Sequence, residues 1–322
     1  MKLLKIMGCV LPLALLNAFG ASAQEAYPRK PVKIIVAHAP GGGSDQLGRM
    51  MGQKLADSLK QPFIVENKPG AGGSIGTKEA ARSPADGYTL LVGTSATHGS
   101  NPWLYDGIGY DAMADFVPIT VMASTDYALA VPVDSGIRSL ADLLKKGKDT
   151  ELDYGSSGNG STGHMAAAVM GYKAGIKTNH VPYKGAAAAM NDLIAGRFAF
   201  MFENTNVLAP FHKAGRLRII AVSGQQRSQA LPDVPTVSEA GVPGYSMLGW
   251  WALFAPAGTP AAVVQKLNAE ANRILTSESV RNTLLANGNV PLALSSEDSR
   301  KYVNGQLDYF RKVIADSHIK LD

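Results

Sequence analysis

Val32-Lys-Ile-Ile-Val-Ala-His-Ala-Pro-Gly-Gly-Gly-Ser-Asp-Gln-Leu47 runs from an unbroken apolar segment through a glycine-serine turn into a helical pattern. Past the turn, Leu47, Met51, Leu55 and Leu59 recur every fourth residue, one face of a helix. A second stretch repeats the plan: Leu152-Asp-Tyr, then Gly155-Ser-Ser-Gly-Asn-Gly-Ser-Thr-Gly-His164, then Met165 and Val169 with Ala166 and Met170 alongside. A helix start leaves backbone N–H groups unpaired and carries partial positive charge, so it attracts anions. Glycines let a ligand come close to those groups. Two such turns in different halves of one chain point to a ligand with two anionic ends, or to one anion clamped from both sides.

Working outward, short apolar runs alternate with helical patterns: Lys33–Ala37, Phe63–Glu66, Thr89–Gly93, Ala128–Val133, His180–Pro182, Phe198–Phe202 and Ile219–Val222. That alternation argues for α/β layering around mostly parallel sheets. Ile34-Ile35-Val36 and Leu90-Leu91-Val92 lack a polar alternate, as strands covered on both faces do. From Pro260 the chain turns helical, with Val263, Val264, Leu267, Ala271, Ile274 and Leu275 on one face. A second long helix runs from Ser299 through Tyr302, Leu307, Phe310 and Ile314, behind a capping-like Ser295-Ser-Glu-Asp298. Apolar residues make up 46% of the chain, enough for two cores. The division expected is a signal peptide at 1–23, one lobe from 24–125 plus 246–322, and a second lobe from 126–245. Crossovers near Ser124–Tyr127 and Gly244–Gly249 would set both glycine turns on the cleft between the lobes, a favoured ligand position.

The first 23 residues read as an export signal: Lys2 and Lys5, an apolar Val10–Phe19 core, and the small-residue site Ala21-Ser22-Ala23. Cleavage after Ala23 would remove Cys9, the one cysteine, and lower the formal net charge from +5 to +3 by removing two lysines. The expected location is the periplasm. No basic cluster exceeds Lys145-Lys-Gly-Lys148, which sets nucleic acid aside as a partner.

Other chemistries find little support. Gly158-Asn-Gly-Ser-Thr-Gly163 matches the dinucleotide fingerprint by letter, but no acidic residue follows at ribose distance in His180-Val-Pro-Tyr-Lys-Gly185. Neither turn ends in the Gly-Lys-Ser/Thr of a P-loop, no G-x-S-x-G string occurs, and the six histidines show no metal spacing. No cofactor, metal or catalytic residue is therefore expected. A third glycine stretch, Glu66-Asn-Lys-Pro-Gly-Ala-Gly72-Gly73-Ser74-Ile-Gly76, and a fourth polar one, Thr94-Ser95-Ala96-Thr97-His98, also follow apolar runs. With the first two they offer hydroxyls and amides but few charges, Lys68 and Lys184 being the nearest. Neutral donors gripping a carboxylate are the natural reading. Trp250 and Trp251 serve equally well as pocket wall or core.

These residues resemble a known family. Tyr27-Pro-Arg-Lys-Pro-Val32, Pro40-Gly-Gly-Gly-Ser-Asp45, Glu66-Asn-Lys-Pro-Gly-Ala-Gly72, Pro84-Ala-Asp-Gly-Tyr-Thr-Leu90, Ser157-Gly-Asn-Gly160, Val181-Pro-Tyr-Lys-Gly185 and Leu231-Pro-Asp-Val-Pro-Thr236 are similar to motifs of the solute-binding proteins of tripartite tricarboxylate transporters, the Bug or TctC-like group. The resemblance covers the chain from about Tyr27 onward. It implies a two-lobed periplasmic binding protein of type II-like α/β fold that closes on its ligand and is not an enzyme. It implies a grip on a carboxylate by Gly41, Gly42, Gly43, Ser44 and Asp45 in the first turn and by Ser156, Ser157, Asn159, Ser161, Thr162 and His164 in the second. Thr94, Ser95 and Thr97 would complete the cleft, with Glu203 and Asn204 on its floor. Gly72, Gly73, Ser74, His38 and Tyr183 are counted with them. His38-Ala39 departs from the aromatic or proline pair of many relatives, at the end of the pocket that selects the ligand. Partners so implied are a small organic carboxylate, aliphatic or aromatic (terephthalate among them), and the permease subunits of such a transporter, the receptor itself being monomeric. A cleft hydrolase or isomerase, and a sensor presenting its closed form to a signalling partner, stay open as alternatives.

Overall fold

The computed structural model describes residues 27–317 and Ile319. The expected signal peptide, its cleavage site and Cys9 lie outside the described residues. The chain opens with β1 (Val32–Val36), α1 (Gly43–Leu59), β2 (Phe63–Asn67), α2 (Ser74–Ala81), β3 (Thr89–Thr94), the short α3 (Asn101–Leu104) and β4 (Phe116–Pro132). The middle holds α4 (Leu140–Asp149), β5 (Leu152–Ser156), α5 (Thr162–Ala174), β6 (Thr178–Pro182), α6 (Ala186–Ile194), β7 (Phe200–Asn204), α7 (Thr205–Lys213) and β8 (Leu217–Val222). The return supplies β9 (Leu248–Pro256), α8 (Ala261–Thr276), α9 (Glu278–Ala286), β10 (Asn289–Pro291) and α10 (Ser296–Ser317).

The strands follow one path, β2-β1-β3-β9-β4-β7-β5-β6, with β8 and β10 also pairing β4. The sheet is mixed, which corrects the expectation of mostly parallel sheets. Parallel pairing is confined to the outer strands, β1 with β2 and β3, and β5 with β6 and β7. Every pair made by β4 is antiparallel, as is β3 with β9. The physical reason is β4 itself. Its Phe116–Asp126 part lies against β9, and from Tyr127 onward it lies against β7 and β8, so one continuous strand serves both lobes. Only its Ala128–Val133 end reads as a strand in the sequence; Pro118 sits at a shift of register within the rest.

Alternate residues of the strands feed opposite faces. Ile34 and Val92 pack with Leu47, Met51 and Leu55 of α1 and Leu267 of α8, whereas Ile35 and Leu91 pack with Ala80 of α2 and Val303 of α10. In the second lobe Phe200 and Phe202 meet Met165 and Val169 of α5, and Met201 meets Leu193 of α6 and Leu208 of α7. Covering both faces explains why these strands read as continuous apolar runs. Helix α10 touches both lobes: Val303 belongs to a first-lobe cluster, while Phe310 and Ile314 join the α5 cluster.

Candidate functional site

In the first turn Gly41 takes φ +87°, a conformation glycine adopts without strain, and Gly42 caps α1. The amides of Gly42, Gly43 and Ser44 have no hydrogen-bond acceptor among the described residues. The Gly41 amide is already spent: it donates to Asp45 Oδ2 at 3.0 Å. Asp45 also receives Asn67 Nδ2 at 2.9 Å and Arg49 at 2.9 and 3.1 Å. Burial alone would raise the Asp45 pKa, but the Arg49, Gly41 and Asn67 hydrogen bonds outweigh it and hold the carboxyl below its ordinary value. Asp45 thus braces the turn from behind.

The second turn uses the same device. Ser161 caps α5, its Oγ accepting from the His164 amide at 3.3 Å. Gly160, at φ +73°, donates its amide to His164 Nδ1 at 3.1 Å. In both turns the third helical residue reaches back to the amide just ahead of the cap, a variant of the capping box. The acceptor role requires His164 to be neutral at Nδ1. Burial, and then the His180 ring stacked on it at 3.9 Å, push its pKa down to about 3. Ser156 Oγ meets His180 Nε2 at 2.6 Å and accepts the Gly158 amide at 3.1 Å. The amides of Asn159, Thr162 and Gly163 have no acceptor among the described residues.

The second turn is hydrogen-bonded directly to the Ser95–Tyr105 segment that follows β3. Ser95 Oγ lies 2.7 Å from Thr162 Oγ1, Ser100 Oγ donates to the Gly160 carbonyl at 3.0 Å, and Tyr105 donates its hydroxyl to the Asn159 carbonyl at 3.0 Å. Asn206 Nδ2 adds a bond to Gln46 Oε1 at 3.2 Å. A polar chain continues inward from Thr162 through the Tyr127 hydroxyl to Asn204, whose Nδ2 lies 3.4 Å from it, and on to Glu203. Burial raises the Glu203 carboxyl, and burial with Glu203 nearby raises the Tyr127 phenol. Asn101 Oδ1, Glu203 Oε2 and Asn204 Oδ1 are buried without a partner.

Several residues read as candidates turn their side chains elsewhere. The Thr94 and Thr97 hydroxyls serve their own loop, accepting the Thr97 and Thr94 amides. Ser44 Oγ accepts from the Trp251 indole at 3.1 Å, and a Cβ on Gly43 would lie 2.6 Å from that ring. Trp250 and Trp251 are both buried, which settles them as packing residues. Tyr183 donates its hydroxyl to Asp192 at 2.8 Å, on α6. His38 keeps an unpartnered Nδ1, with burial lowering its pKa to about 4, and its carbonyl takes Asn67 Nδ2. Gly72 and Ser74 are tied together by Asn101, and a Cβ on Gly72 would come 2.9 Å from the Asn159 carbonyl of the other lobe. A Cβ on Gly73 would come 2.8 Å from the Thr97 methyl group. Lys68 spends its charge on Glu66 and Glu79, and Lys184 is exposed. Sequence reading misses Tyr127, Ser100, Asn101 and Tyr105, which bridge turns far apart in the chain; the polar Ser100-Asn101 ahead of Pro102 was the available signal.

Comparison with known proteins matches residues 47–319 to the tripartite tricarboxylate transporter family receptor, TctC. The chain belongs to that family. It is 31% identical over 323 residues to protein BugT of Bordetella pertussis, covering 99% of this chain and 98% of BugT. It is 35% identical over 267 residues to a UPF0065 protein from the tcbD-tcbE intergenic region of Pseudomonas sp. strain P51, covering 82% and 79% of the two chains. Among solved structures, R. palustris Rpa4515 with adipate superposes with a TM-score of 0.88 at 34% identity, covering 91% of this chain and 99% of that one. MatC (Rpa3494) from Rhodopseudomonas palustris with bound malate gives 0.84 at 28%, covering 89% and 100%. The fold is that of the periplasmic binding proteins of this family.

Proposed function

We propose that this chain is a periplasmic receptor that captures a small organic dicarboxylate between its two glycine turns and delivers it to the permease of a tripartite tricarboxylate transporter. One observation carries the reading: two helix starts keep unspent amides, and the second of them is hydrogen-bonded to the lobe that holds the first. The adipate and malate of the two structural relatives support the ligand class. In this reading the amides of Gly42, Gly43 and Ser44 take one carboxylate, and those of Asn159, Thr162 and Gly163 take the other. Asp45 and His164 hold the turns, and Ser95 and Thr162 latch the lobes. The change of β4 partners between Asp126 and Tyr127 supports lobes at 24–125 plus 246–322 and at 126–245. Export through residues 1–23, and action as a monomer without enzymatic turnover, belong to the same proposal.

The test is a thermal-shift and calorimetric panel of adipate, malate, terephthalate, their monoamides, a sugar and phosphate. A true ligand at one hundred times its dissociation constant should add about 2.7 kcal/mol of stability. Monoamides should bind more weakly, because each helix start favours an anion. A panel in which no carboxylate raises the melting temperature, while sugar or phosphate does, sinks the reading. X-ray scattering adds a check on closure: the radius should shrink on adding ligand, as hinge closure demands.

A further inference from the structure

Glu203, expected on the floor of the cleft, is a buried acid whose surroundings do not suit a carboxylate anion. The side chain is 4% exposed. Oε1 accepts two bonds from Asn204, from the backbone amide at 2.8 Å and from Nδ2 at 2.9 Å, while Oε2 has no partner. No ion pair reaches it among the described residues. From β4 it faces the Tyr127 hydroxyl, from the end of β7 Asn204, and from the second turn the Ser157 hydroxyl, a donor directed at the carboxyl that falls short of a full hydrogen bond and is outweighed by burial. The charged and titratable groups on the bordering elements are engaged elsewhere: Asp126 of β4 with Ser228, Asp192 of α6 with Tyr183, and His164 of α5 with the Gly160 amide. Lys213 lies at the opposite end of α7. A buried carboxylate with one bare oxygen and no counter-charge is unstable, and a proton on that oxygen removes the problem.

We propose that Glu203 is a specificity-determining acid that takes one proton from solvent onto Oε2 as the lobes close and offers that O–H to the ligand's second carboxylate. A dicarboxylate then enters the closed cleft together with a proton. The site disfavours an ammonium-bearing acid, which would want Glu203 ionised. With the lobes apart, water restores an ordinary carboxyl, ionised near neutral pH. Closure removes the water, so the proton is gained only in the bound state. The inference rests on the dicarboxylate-receptor reading.

Calorimetric titration of the mature chain with adipate, and then malate, tests it between pH 6 and 8 in buffers of low and high ionisation enthalpy. The expected result is an apparent enthalpy that tracks the buffer, corresponding to about one proton taken up per ligand. Affinity should fall by up to about tenfold per pH unit as pH rises. Glu203→Gln, which carries its own donor and cannot titrate, should bind without buffer dependence and without the pH slope. Wild-type enthalpies equal in both buffers overturn the inference without recourse to any variant. So does an unchanged slope in a folded Glu203→Gln protein, or aspartate binding more tightly than malate with no proton uptake. If no carboxylate binds at all, the receptor reading falls and this inference with it.

Discussion

Gly163, the second residue of α5, is the position where helix and sheet come closest. A Cβ there would lie 2.3 Å from the Phe202 carbonyl oxygen, a backbone atom of β7. Phe202 is paired with Leu129 of β4 and is itself fully buried, so the sheet cannot yield. Carbon and oxygen ordinarily approach to about 3.3 Å, so Gly163→Ala must push the start of α5 outward by about 1 Å. Overpacking of this kind costs about 1–3 kcal/mol, and the better helix propensity of alanine returns at most about 1 kcal/mol. The net loss of about 1–2 kcal/mol should lower the melting temperature by roughly 2–8 °C. The displacement also stretches the 2.7 Å contact between Thr162 and Ser95 and shifts the start of α5, with its free amides, relative to the other lobe. On the receptor reading, affinity for a dicarboxylate that the panel shows to bind should therefore fall about tenfold or more, the value of one charge-assisted hydrogen bond. Gly175→Ala is the control. It strains the α5 C-cap at φ +64° but meets no atom within 4 Å, so it should cost stability and leave affinity for that dicarboxylate alone. Chemical unfolding paired with calorimetry separates the two. A Gly163→Ala protein that melts and binds like wild type would refute the steric account of α5 docking.

Ser44→Ala should leave the buried Trp251 indole N–H without its acceptor, at about 1–3 kcal/mol. Combined with Trp251→Phe, which itself opens a core cavity, the loss should be smaller than the sum of the two single losses, and a double-mutant cycle with no coupling would dismiss the bond. Asp45→Asn should destabilise the protein at pH 7 by roughly 1–3 kcal/mol, toward the low end because Arg49 is half exposed. Since folding depresses the Asp45 pKa, its stabilisation is present above the ordinary carboxyl range and is lost as pH falls through the depressed value. Urea unfolding should accordingly show the gap between wild type and variant narrowing as the pH falls below the ordinary carboxyl range; a gap that does not narrow in acid contradicts the assignment. His98 is buried against Phe254 at 4.1 Å, and burial holds its pKa to about 3. Stability should fall as pH drops from about 6.5 toward 3, because the unfolded chain binds the proton first. His98→Phe should flatten that decline between pH 7.5 and 4.5, and parallel melting curves would count against it. N-terminal sequencing of the protein recovered from periplasm should begin at Gln24, and a lipid on Cys9 would contradict export by the proposed cleavage.

The sequence by itself determined most of the parallel strands and the two glycine turns that open helices. Apolar runs such as Ile34-Ile35-Val36 can be satisfied only by cover on both faces, and Gly41 and Gly160 mark turns that other residues enter at a cost. These are local properties, set by periodicity and backbone sterics within a few residues. Tertiary structure alone decided what each side chain does. Ser44 reads as a ligand hydroxyl until Trp251, 207 residues away, claims it. His164 and Asp45 read as ligand contacts, yet each spends itself on an amide four residues back, which depends on a turn geometry that no spacing rule shows. Tyr127 and Asn101 carry no motif, and they matter because a 17-residue strand and a short helix place them between distant turns. The bare oxygen of Glu203 likewise exists only once β4, β7 and the second turn have closed around it. Hydrogen-bond partners in a cleft are chosen by the packing of separate elements, and that choice is made in three dimensions.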